Sequence, residues 1–217
     1  MDTAHRDSYG QHGLTWVDRF GVFLSRRAIF KHVPRDQGLD ILDLGCGYRA
    51  QLLISLQERH KRLVGVDFLI CPELKSDPQF TFLESTIEQA IVKLDDGSFD
   101  LVLFISALEH VWEPVEVLRE CQRVLRPGGI LLINVPTWRG KFFLELSAFK
   151  LGTSPKDEMD DHKMYYAKRD LWPLLVKAGF KPSEIVLKYH KFGLNLFAVV
   201  RNNSGSIQRE QSYSEKR

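Results

Sequence analysis

Ile41-Leu42-Asp43-Leu44-Gly45-Cys46-Gly47 is the stretch that decides the fold: three apolar residues and one acid lead into two glycines separated by one residue. The apolar residues predict a buried strand. The glycines predict a tight turn, because a residue without a Cβ can take positive φ and let a ligand approach the backbone. Leu52, Leu53 and Leu56 follow at helical spacing, which predicts a helix from Gln51 to His60. A strand, a glycine loop and a helix N-terminus form the geometry of a nucleotide-type site.

A second apolar stretch, Leu63-Val64-Gly65-Val66-Asp67, predicts a buried strand that ends in a carboxylate. In sheets of this kind, an acid at the tip of the second strand accepts hydrogen bonds from the ribose hydroxyls of a cofactor. NAD and S-adenosylmethionine both carry a ribose diol, so this acid leaves both cofactors open. For the glycine loop taken alone, an ordinary strand-to-helix turn is the alternative.

Further apolar runs predict the rest of the sheet, with turn signals such as Asp95-Asp96-Gly97-Ser98 and Pro127-Gly128-Gly129 between them. Strands are predicted over residues 80–83, 99–105, 130–135, 183–188 and 195–201, and helices over 115–125 and 168–178. The run 99–105 is almost continuously apolar, as in a central parallel strand that is buried on both faces. Alternating strands and helices predict an α/β protein with a doubly wound, mainly parallel sheet.

Composition limits the class of protein. With 217 residues, 44% of them hydrophobic, the chain is long enough for one well-buried domain. The net charge of +2 gives no reason to expect nucleic acid as a partner. The three cysteines form no metal-type pair, which disfavours a disulfide or zinc scaffold. The cysteine usage fits a reducing cytoplasm. No apolar window is long enough to span a membrane and no secretion leader is visible, so the chain is expected to be soluble.

Five short motifs follow one another along the chain: residues 41–47, the strand end at Asp67, Phe99-Asp100-Leu101-Val102, Leu108-Glu109-His110-Val111 and Leu125-Arg126-Pro127-Gly128-Gly129. Their order and spacing resemble the class I S-adenosylmethionine-dependent methyltransferases, above all the small bacterial enzymes of ubiquinone and menaquinone biosynthesis. The resemblance covers about residues 39–200. It implies a seven-stranded sheet with an antiparallel last strand and S-adenosylmethionine as cofactor. Arg49 departs from the pattern, because the family usually has a third glycine there.

The resemblance also implies which residues hold the cofactor. The glycine loop and Asp67 would hold its ribose side, the end of the third strand its adenine, and the backbone after the fourth strand its methionine part. The predicted cofactor-binding residues are Asp43, Gly45, Cys46, Gly47, Asp67, Phe68, Thr86, Ile87, Ile105 and Ser106. Glu84 and Glu88 are expected to be helix-start acids, and Asp100 a structural acid at a strand start.

Glu109 and His110 directly follow the fourth strand, at the end where parallel sheets bind ligands. A carboxylate beside an imidazole can be a general base, a metal pair or a helix-start feature. Related quinone O-methyltransferases carry a further Glu three residues earlier and are thought to hold magnesium there. Ser106 stands at that position in this chain, which disfavours a metal ion. No metal site is predicted, and His110 is a candidate general base with a structural role as the alternative.

Residues 137–166 have no place in the minimal fold and predict an insertion that shapes the substrate pocket. By resemblance, its last residues face the methyl acceptor. His162 is therefore a second candidate base, since a histidine with a pKa of about 6.5 can deprotonate a hydroxyl or carboxyl group. Tyr165 and Tyr166 are the candidate substrate residues, and a solvated loop is the alternative.

Residues 16–31 predict an amphipathic helix before the sheet, with aromatic and basic residues side by side. The helix could be a cap on the sheet, a lid over the site or a peripheral membrane contact. We expect residues 15–201 to form a single domain between a flexible stretch, 1–14, and a disordered polar tail, 202–217.

The chain is thus predicted to transfer a methyl group from S-adenosylmethionine to a small-molecule, lipid or sugar biosynthetic intermediate. Such an enzyme has to align the acceptor in line with the methyl group and exclude water. A family member that binds the cofactor without turnover is one alternative, and an NAD-type Rossmann enzyme is another. The Leu-Glu-His and Arg-Pro-Gly-Gly segments argue against the latter. The pattern leaves open the acceptor atom, whether oxygen, nitrogen or carbon, and the oligomeric state.

Overall fold

The structure is a computed structural model that describes residues 16–33, 38–141 and 163–203. Its strands are β1 (Asp40–Leu44), β2 (Arg62–Asp67), β3 (Phe80–Glu84), β4 (Phe99–Ile105), β5 (Leu125–Pro136), β6 (Ile185–His190) and β7 (Asn195–Arg201). Its helices are α1 (Trp16–Phe30), α2 (Gln51–Ile54), α3 (Pro72–Lys75), α4 (Ile87–Ile91), α5 (Pro114–Val124) and α6 (Lys168–Ala178).

All seven strands lie in one sheet, in the order β3-β2-β1-β4-β5-β7-β6. Strands β1 to β5 pair in parallel, and β7 is antiparallel to both of its neighbours, β5 and β6. This confirms the predicted α/β class with a mainly parallel seven-stranded sheet and an antiparallel last strand. The strand order reverses between β1 and β4, and ligands of such sheets bind at the carboxyl ends of the strands beside this point.

Two apolar layers cover the faces of the sheet. On one face α4, α5 and α6 pack against residues such as Leu42 and Val102, and on the other α1 and α2 pack against residues such as Ile41 and Leu101. Neighbouring residues of a strand alternate between the layers because their side chains point to opposite faces. These four side chains are fully buried, and burial of each stabilises the fold by about 1.5–3 kcal/mol. The central strands therefore hold their carboxyl ends in fixed positions.

Asp100 at the start of β4 is a structural acid, as predicted. One of its carboxylate oxygens accepts a hydrogen bond from the backbone N–H of Asp40, at 2.9 Å. Arg126 on β5 donates to the carboxylates of both Asp100 and Asp40, at 2.6 Å each. Three neighbouring strands are thus joined at the edge opposite to their carboxyl ends.

The helix predicted from Gln51 to His60 is too long. Helix α2 ends at Ile54, and a short 3-10 helix, Gln57–Arg59, follows. The Ser55 hydroxyl donates to the carbonyl of Leu52 at 2.6 Å, and such side-chain bonds compete with continuation of a helix. Strand β6 likewise begins two residues later than predicted, because Pro182–Glu184 forms a 3-10 helix.

The prediction for the two acids near α4 is correct for only one of them. Glu88 lies in the first turn of α4, as predicted. Glu84 instead accepts a hydrogen bond from the backbone N–H of Ile70 at 2.8 Å and pairs with Lys75 at 2.6 Å. Its carboxylate therefore fixes the loop that follows β2.

Helix α1 confirms that an N-terminal helix precedes the sheet. Ser25 and Ile29 are buried, whereas Phe23 and Phe30 are exposed. The aromatic residues of the predicted apolar stripe therefore do not all face the sheet. Within the described ranges, the structure contains no helix that is both long and apolar enough to cross a bilayer.

The far end of the sheet is closed by Asn202, which directly follows β7. Its side-chain amide donates to the carbonyls of Gln122 and Leu125, at 3.1 and 2.9 Å. Asn202 is buried, although it is the first residue of the predicted tail. The predicted flexible stretch 1–14 and tail residues 204–217 lie outside the described residues.

Candidate active site

The glycine loop after β1 folds back tightly onto β2. Gly45 and Gly47 have φ values of 77° and 76°, a region that side chains disfavour. The backbone N–H groups of Gly45 and Cys46 both donate to the carbonyl of Val66, at 2.9 and 3.1 Å. A Cβ on Gly45 would lie 2.4 Å from the Cβ of Ala107. Only glycine fits here, and it brings the loop backbone against the residues that follow β4.

Asp67 closes this loop from the tip of β2. One carboxylate oxygen accepts a hydrogen bond from the backbone N–H of Gly47 at 2.7 Å, and the other accepts from the N–H of Phe68 at 2.9 Å. The carboxylate is buried, whereas the Phe68 ring beside it is 44% exposed. Each oxygen has two lone pairs, so the acid can hold the loop and still accept a hydrogen bond from a ligand.

Asp43 lies under the same loop and is 2% exposed. Burial raises the pKa of its carboxyl from 3.8 to about 8, and the charge of Asp67 adds to the shift. Asp43 is therefore mainly protonated at neutral pH and can donate as well as accept a hydrogen bond. Burial also raises the pKa of the Cys46 thiol, so the thiolate that nucleophilic chemistry needs is not formed there.

The ends of β3 and β4 complete this side of the site. Thr86 caps α4 by accepting a hydrogen bond from the N–H of Gln89 at 3.2 Å. Ile87 follows it and lies 3.9 Å from where a Cβ of Gly45 would be. Ile105 is the last residue of β4, and Ser106 after it has a φ of 53° and donates its N–H to the carbonyl of Asn134 at 2.7 Å.

Asn134 on β5 is a site residue that sequence reasoning missed. It is fully buried, and its side-chain amide donates to the Ser106 hydroxyl at 3.3 Å. Its side-chain oxygen has no hydrogen-bond partner within the described residues, and a buried acceptor of this kind needs one. The sequence contains one signal for this role: Asn134 is the single polar residue in the otherwise apolar run 130–135.

The predicted cofactor residues thus converge at one edge of the sheet. They come from the carboxyl ends of β1 to β4, which the strand order places side by side. The edge combines three features: a loop of backbone without side chains at Gly45 and Gly47, the Asp67 carboxylate at a strand tip, and the buried amide oxygen of Asn134. Together these features fit a cofactor with a ribose diol and polar ends. The exposed Arg49 stands beside this loop.

Glu109 lies in a 3-10 helix, Leu108–His110, directly beyond β4. Its side chain is 1% exposed, and burial raises the pKa of its carboxyl from 4.5 to about 8. Lys191, in the turn between β6 and β7, lies close enough to oppose this shift, and burial lowers the pKa of its own amine to about 8. Nothing in the sequence pattern predicts that these two residues lie close together. Partly buried His110 follows Glu109, and the described residues contain no metal-type cluster of three ligands.

Residues 163–166 dock onto this end of the sheet. The backbone N–H of Lys163 donates to the carbonyl of Glu109 at 2.7 Å, and that of Tyr166 donates to the carbonyl of Pro136 at 3.0 Å. Tyr165 is 5% exposed and packs on Trp138 at 5.5 Å, whereas Tyr166 is fully buried in the core. The Tyr166 hydroxyl has no hydrogen-bond partner within the described residues. Contact of either tyrosine with an acceptor stays a prediction, and His162 lies outside the described residues.

Glu109→Gln should flatten part of the pH dependence of stability. Because the pKa of Glu109 is raised from 4.5 to about 8, folded protein keeps a proton on this carboxyl that the unfolded chain loses. The stabilisation from this proton is complete below pH 4.5 and is lost as the pH rises through about 8. Glutamine stays neutral throughout, so the variant should lose about 5 kcal/mol less than the wild type across this range, since one pKa unit corresponds to about 1.4 kcal/mol. Urea unfolding at several pH values measures the difference.

Glu113→Gln, a change at an exposed neighbour, is the matched control and should follow the wild-type curve. Asp43 contributes to the pH dependence of the free energy of unfolding with the same sign in all three proteins, so its contribution cancels from the comparison. Parallel curves for Glu109→Gln and the wild type would show that Glu109 is already ionised in the folded protein.

Comparison with known proteins agrees with this geometry. Residues 42–133 match the model of the family described as methyltransferase domain. A Mycolicibacterium smegmatis protein, named a probable S-adenosylmethionine-dependent methyltransferase, is 28% identical over 198 residues, which are 88% of this chain and 68% of that protein. A ubiquinone biosynthesis O-methyltransferase of Pseudomonas aeruginosa is 30% identical over 114 residues. That match covers 49% of this chain and 48% of the relative, so the chain spans about half of that enzyme's length.

Solved structures share the fold. The crystal structure of an S-adenosylmethionine-dependent methyltransferase from Thermotoga maritima superposes with a TM-score of 0.63 at 20% identity. The superposition covers 86% of this chain and 91% of that one.

Proposed function

We propose that the chain transfers a methyl group from S-adenosylmethionine to a small-molecule, lipid or sugar biosynthetic intermediate, as the match of residues 42–133 to the methyltransferase domain supports. The observation that carries the proposal is the cradle of Gly45 and Gly47, closed by the Asp67 carboxylate. A side chain at Gly45 would collide with Ala107. The loop backbone therefore lies directly against the residues after β4, which supports a ligand site bordered by backbone groups.

Each part of the site has a role toward the cofactor. Asp67 would accept hydrogen bonds from the ribose hydroxyls, with the exposed face of Phe68 beside it. Thr86 and Ile87 would hold the adenine. The backbone of Ile105 and Ser106, with the buried Asn134 oxygen, would hold the amino acid end, and protonated Asp43 would support the loop from below.

The bound cofactor supplies a methyl group that its sulfonium already makes electrophilic. The protein then has to hold the acceptor in line with this group and exclude water. Residues 163–166, tied to the carbonyls of Glu109 and Pro136, would cover the acceptor side. His110 and His162 are the proposed bases for an acceptor that must lose a proton, whether phenol, carboxyl or hydroxyl.

A catalytically silent family member is the second candidate. Arg49, in the place of the usual third glycine, favours it. Such a protein would keep the cradle and bind the cofactor without turnover. The three free cysteines suit a reducing compartment, and we propose a cytoplasmic location for either form.

Calorimetric titration with S-adenosylmethionine, S-adenosylhomocysteine and NAD tests the proposal without an acceptor. We expect both adenosyl compounds to bind with dissociation constants in about the micromolar range and NAD not to bind. A screen of phenols, carboxylic acids and amines with radiolabelled S-adenosylmethionine then separates an active enzyme from a silent binder. Absence of binding by both adenosyl compounds would refute the proposed function.

A further inference from the structure

Strand β6 forms one edge of the sheet. Within the described residues it pairs with β7 alone, so the backbone N–H and C=O groups on its other side face away from the sheet. Val186 and Tyr189 on this strand are 48% and 53% exposed. The opposite edge strand, β3, differs, because Phe80, Phe82 and Leu83 are buried or half-buried there. An edge strand with exposed apolar side chains pairs readily with other chains.

A groove lies between β6 and helix α6. The floor of the groove is apolar because Ile185 and Leu187 pack on the core layer beneath α6. The Trp172 ring beside them is 41% exposed. At one end, the Lys168 ammonium lies 5.3 Å from the ring centroid of Tyr189. The groove has a volume of about 320 Å³ and is lined by Lys168, Arg169, Trp172, Pro173, Ile185 and Leu187. It can therefore accept apolar side chains that lie beside β6 on the α6 face of the sheet.

The other face of β6 carries positive charge. Lys188 is exposed and pairs in register with Phe197 of β7, which belongs to the apolar layer on the α1 side. The His32 ring, just after α1, stacks on Phe197 at 5.6 Å. Partial burial lowers the pKa of His32, and three nearby cationic charges lower it further. These cations are Lys31, Lys188 and Arg201, and all three are exposed. An anionic group beside β6 on this face would meet them.

The two acids of α6 and the segment before β6 already serve the fold. Asp170 caps helix α6 and lies 3.8 Å from the guanidinium of Arg169. Buried Glu184 accepts hydrogen bonds from the backbone N–H groups of Lys181 and Asn203, at 2.8 and 3.3 Å. Neither carboxylate is therefore placed to neutralise the cations on the α1 face of β6.

The composition of the neighbouring chain agrees with this charge. Residues 168–203 contain seven basic and two acidic residues. Residues 34–37 and 204–217, which follow Lys31 and Arg201 along the chain, have no excess of acidic residues. The edge thus has an excess of positive charge, and like charges disfavour a second copy of this chain as its partner.

An open edge strand binds other strands through main-chain hydrogen bonds, and the side chains on its two faces determine which sequence fits. We propose that β6 binds an extended acidic peptide segment of a partner protein as an eighth strand of the sheet. Successive side chains of a strand point to opposite faces. Apolar side chains of the peptide would enter the groove beside Ile185 and Leu187, and its carboxylates would face Lys188. Three strands separate β6 from β1 and its glycine loop, so this binding does not depend on methyl transfer.

Fluorescence anisotropy of a labelled peptide with the full chain tests the proposal. The probe is a short peptide that alternates valine and glutamate, and the comparison peptide alternates valine and lysine. We expect the glutamate peptide to bind at least about tenfold more tightly at low salt. High salt should remove most of this difference. The glutamate peptide with methylated backbone nitrogens should bind at least about tenfold more weakly than the unmethylated one, because it cannot donate main-chain hydrogen bonds.

Matched variants assign the binding to β6. Lys188→Glu should reverse the preference, so that the lysine peptide binds more tightly than the glutamate peptide. Lys93→Glu, just beyond α4, should bind both peptides as the wild type does. Trp172→Ala should weaken binding of the glutamate peptide at least about tenfold, because it removes one wall of the groove. Trp112→Ala, an exposed tryptophan before α5, should leave this binding unchanged. Circular dichroism and thermal unfolding confirm that each variant is folded.

Three results would overturn the proposal. The first is equal binding of the glutamate peptide and its methylated form, which would show a contact through charge alone. The second is absence of binding by the wild type, or equal binding of the glutamate peptide by the wild type and Lys188→Glu. The third is a dimer in analytical ultracentrifugation that Val186→Asp abolishes, since a second copy of the chain would then occupy the edge.

Discussion

Gly45→Ala is expected to weaken S-adenosylmethionine binding by more than about tenfold and to lower the melting temperature. A Cβ at this position would lie 2.4 Å from the Ala107 Cβ, so the loop or the segment after β4 has to move. The φ of 77° adds a backbone cost, which is about 1 kcal/mol or more for alanine. Because the loop and Ala107 border the same site, a shift of either alters the cradle. Calorimetry and thermal unfolding measure the two effects.

Gly97→Ala is the control for this prediction. Gly97 also has positive φ, 55°, but a Cβ there would meet no atom within 4 Å. It should therefore show the backbone cost without the collision, with cofactor affinity unchanged. If the two variants bind the cofactor equally well, the close approach at Gly45 does not shape the site.

Asp67→Ala should reduce cofactor affinity by about 2 kcal/mol, which is about thirtyfold, and should also destabilise the fold. The substitution leaves the N–H groups of Gly47 and Phe68 without the acceptors that they have at 2.7 and 2.9 Å. It also removes the proposed acceptor of the ribose hydroxyls. Asp67→Asn should be intermediate, since an amide oxygen can accept one of these bonds while its NH₂ group faces the other donor.

The control is Asp77→Ala, a partly buried acid whose carboxylate accepts a local hydrogen bond from the backbone N–H of Gln79 at 3.0 Å. It should leave cofactor affinity unchanged. Titration with adenine and with S-adenosylhomocysteine then locates the loss. If Asp67→Ala weakens both ligands equally, Asp67 acts through the shape of the loop and not through the ribose.

The sheet and the cofactor side of the site could be predicted from the sequence because both depend on local patterns. Uninterrupted apolar runs mark the central strands, and glycines mark the loop after β1. Once the strands are parallel, their carboxyl ends have to meet at one edge, so Gly45, Asp67 and Ser106 come together without any knowledge of long-range contacts.

The acceptor side could not be predicted because it depends on contacts between distant parts of the chain. Lys191 approaches Glu109 from a turn in which Lys191, Phe192 and Gly193 all have left-handed backbone angles. Of these three residues only Gly193 is of a type that predicts such angles. Glu84 was misassigned for a similar reason: its partners lie in another part of the chain, Ile70 in the loop after β2 and Lys75 in helix α3. The end of α2 depends on one serine hydroxyl, which helical spacing does not reveal.

The position of β7 between β5 and β6 affects how the protein is made on the ribosome. A nascent chain that has emerged only as far as β6 has no partner for this strand, because β7 is still inside the ribosome. Until then the hydrogen-bonding edge of β5 is also open, and an open apolar edge favours pairing with other chains. The sheet can close only when β7 is inserted and Asn202 seals it against α5, which makes this half of the molecule the point at which a chaperone would help most.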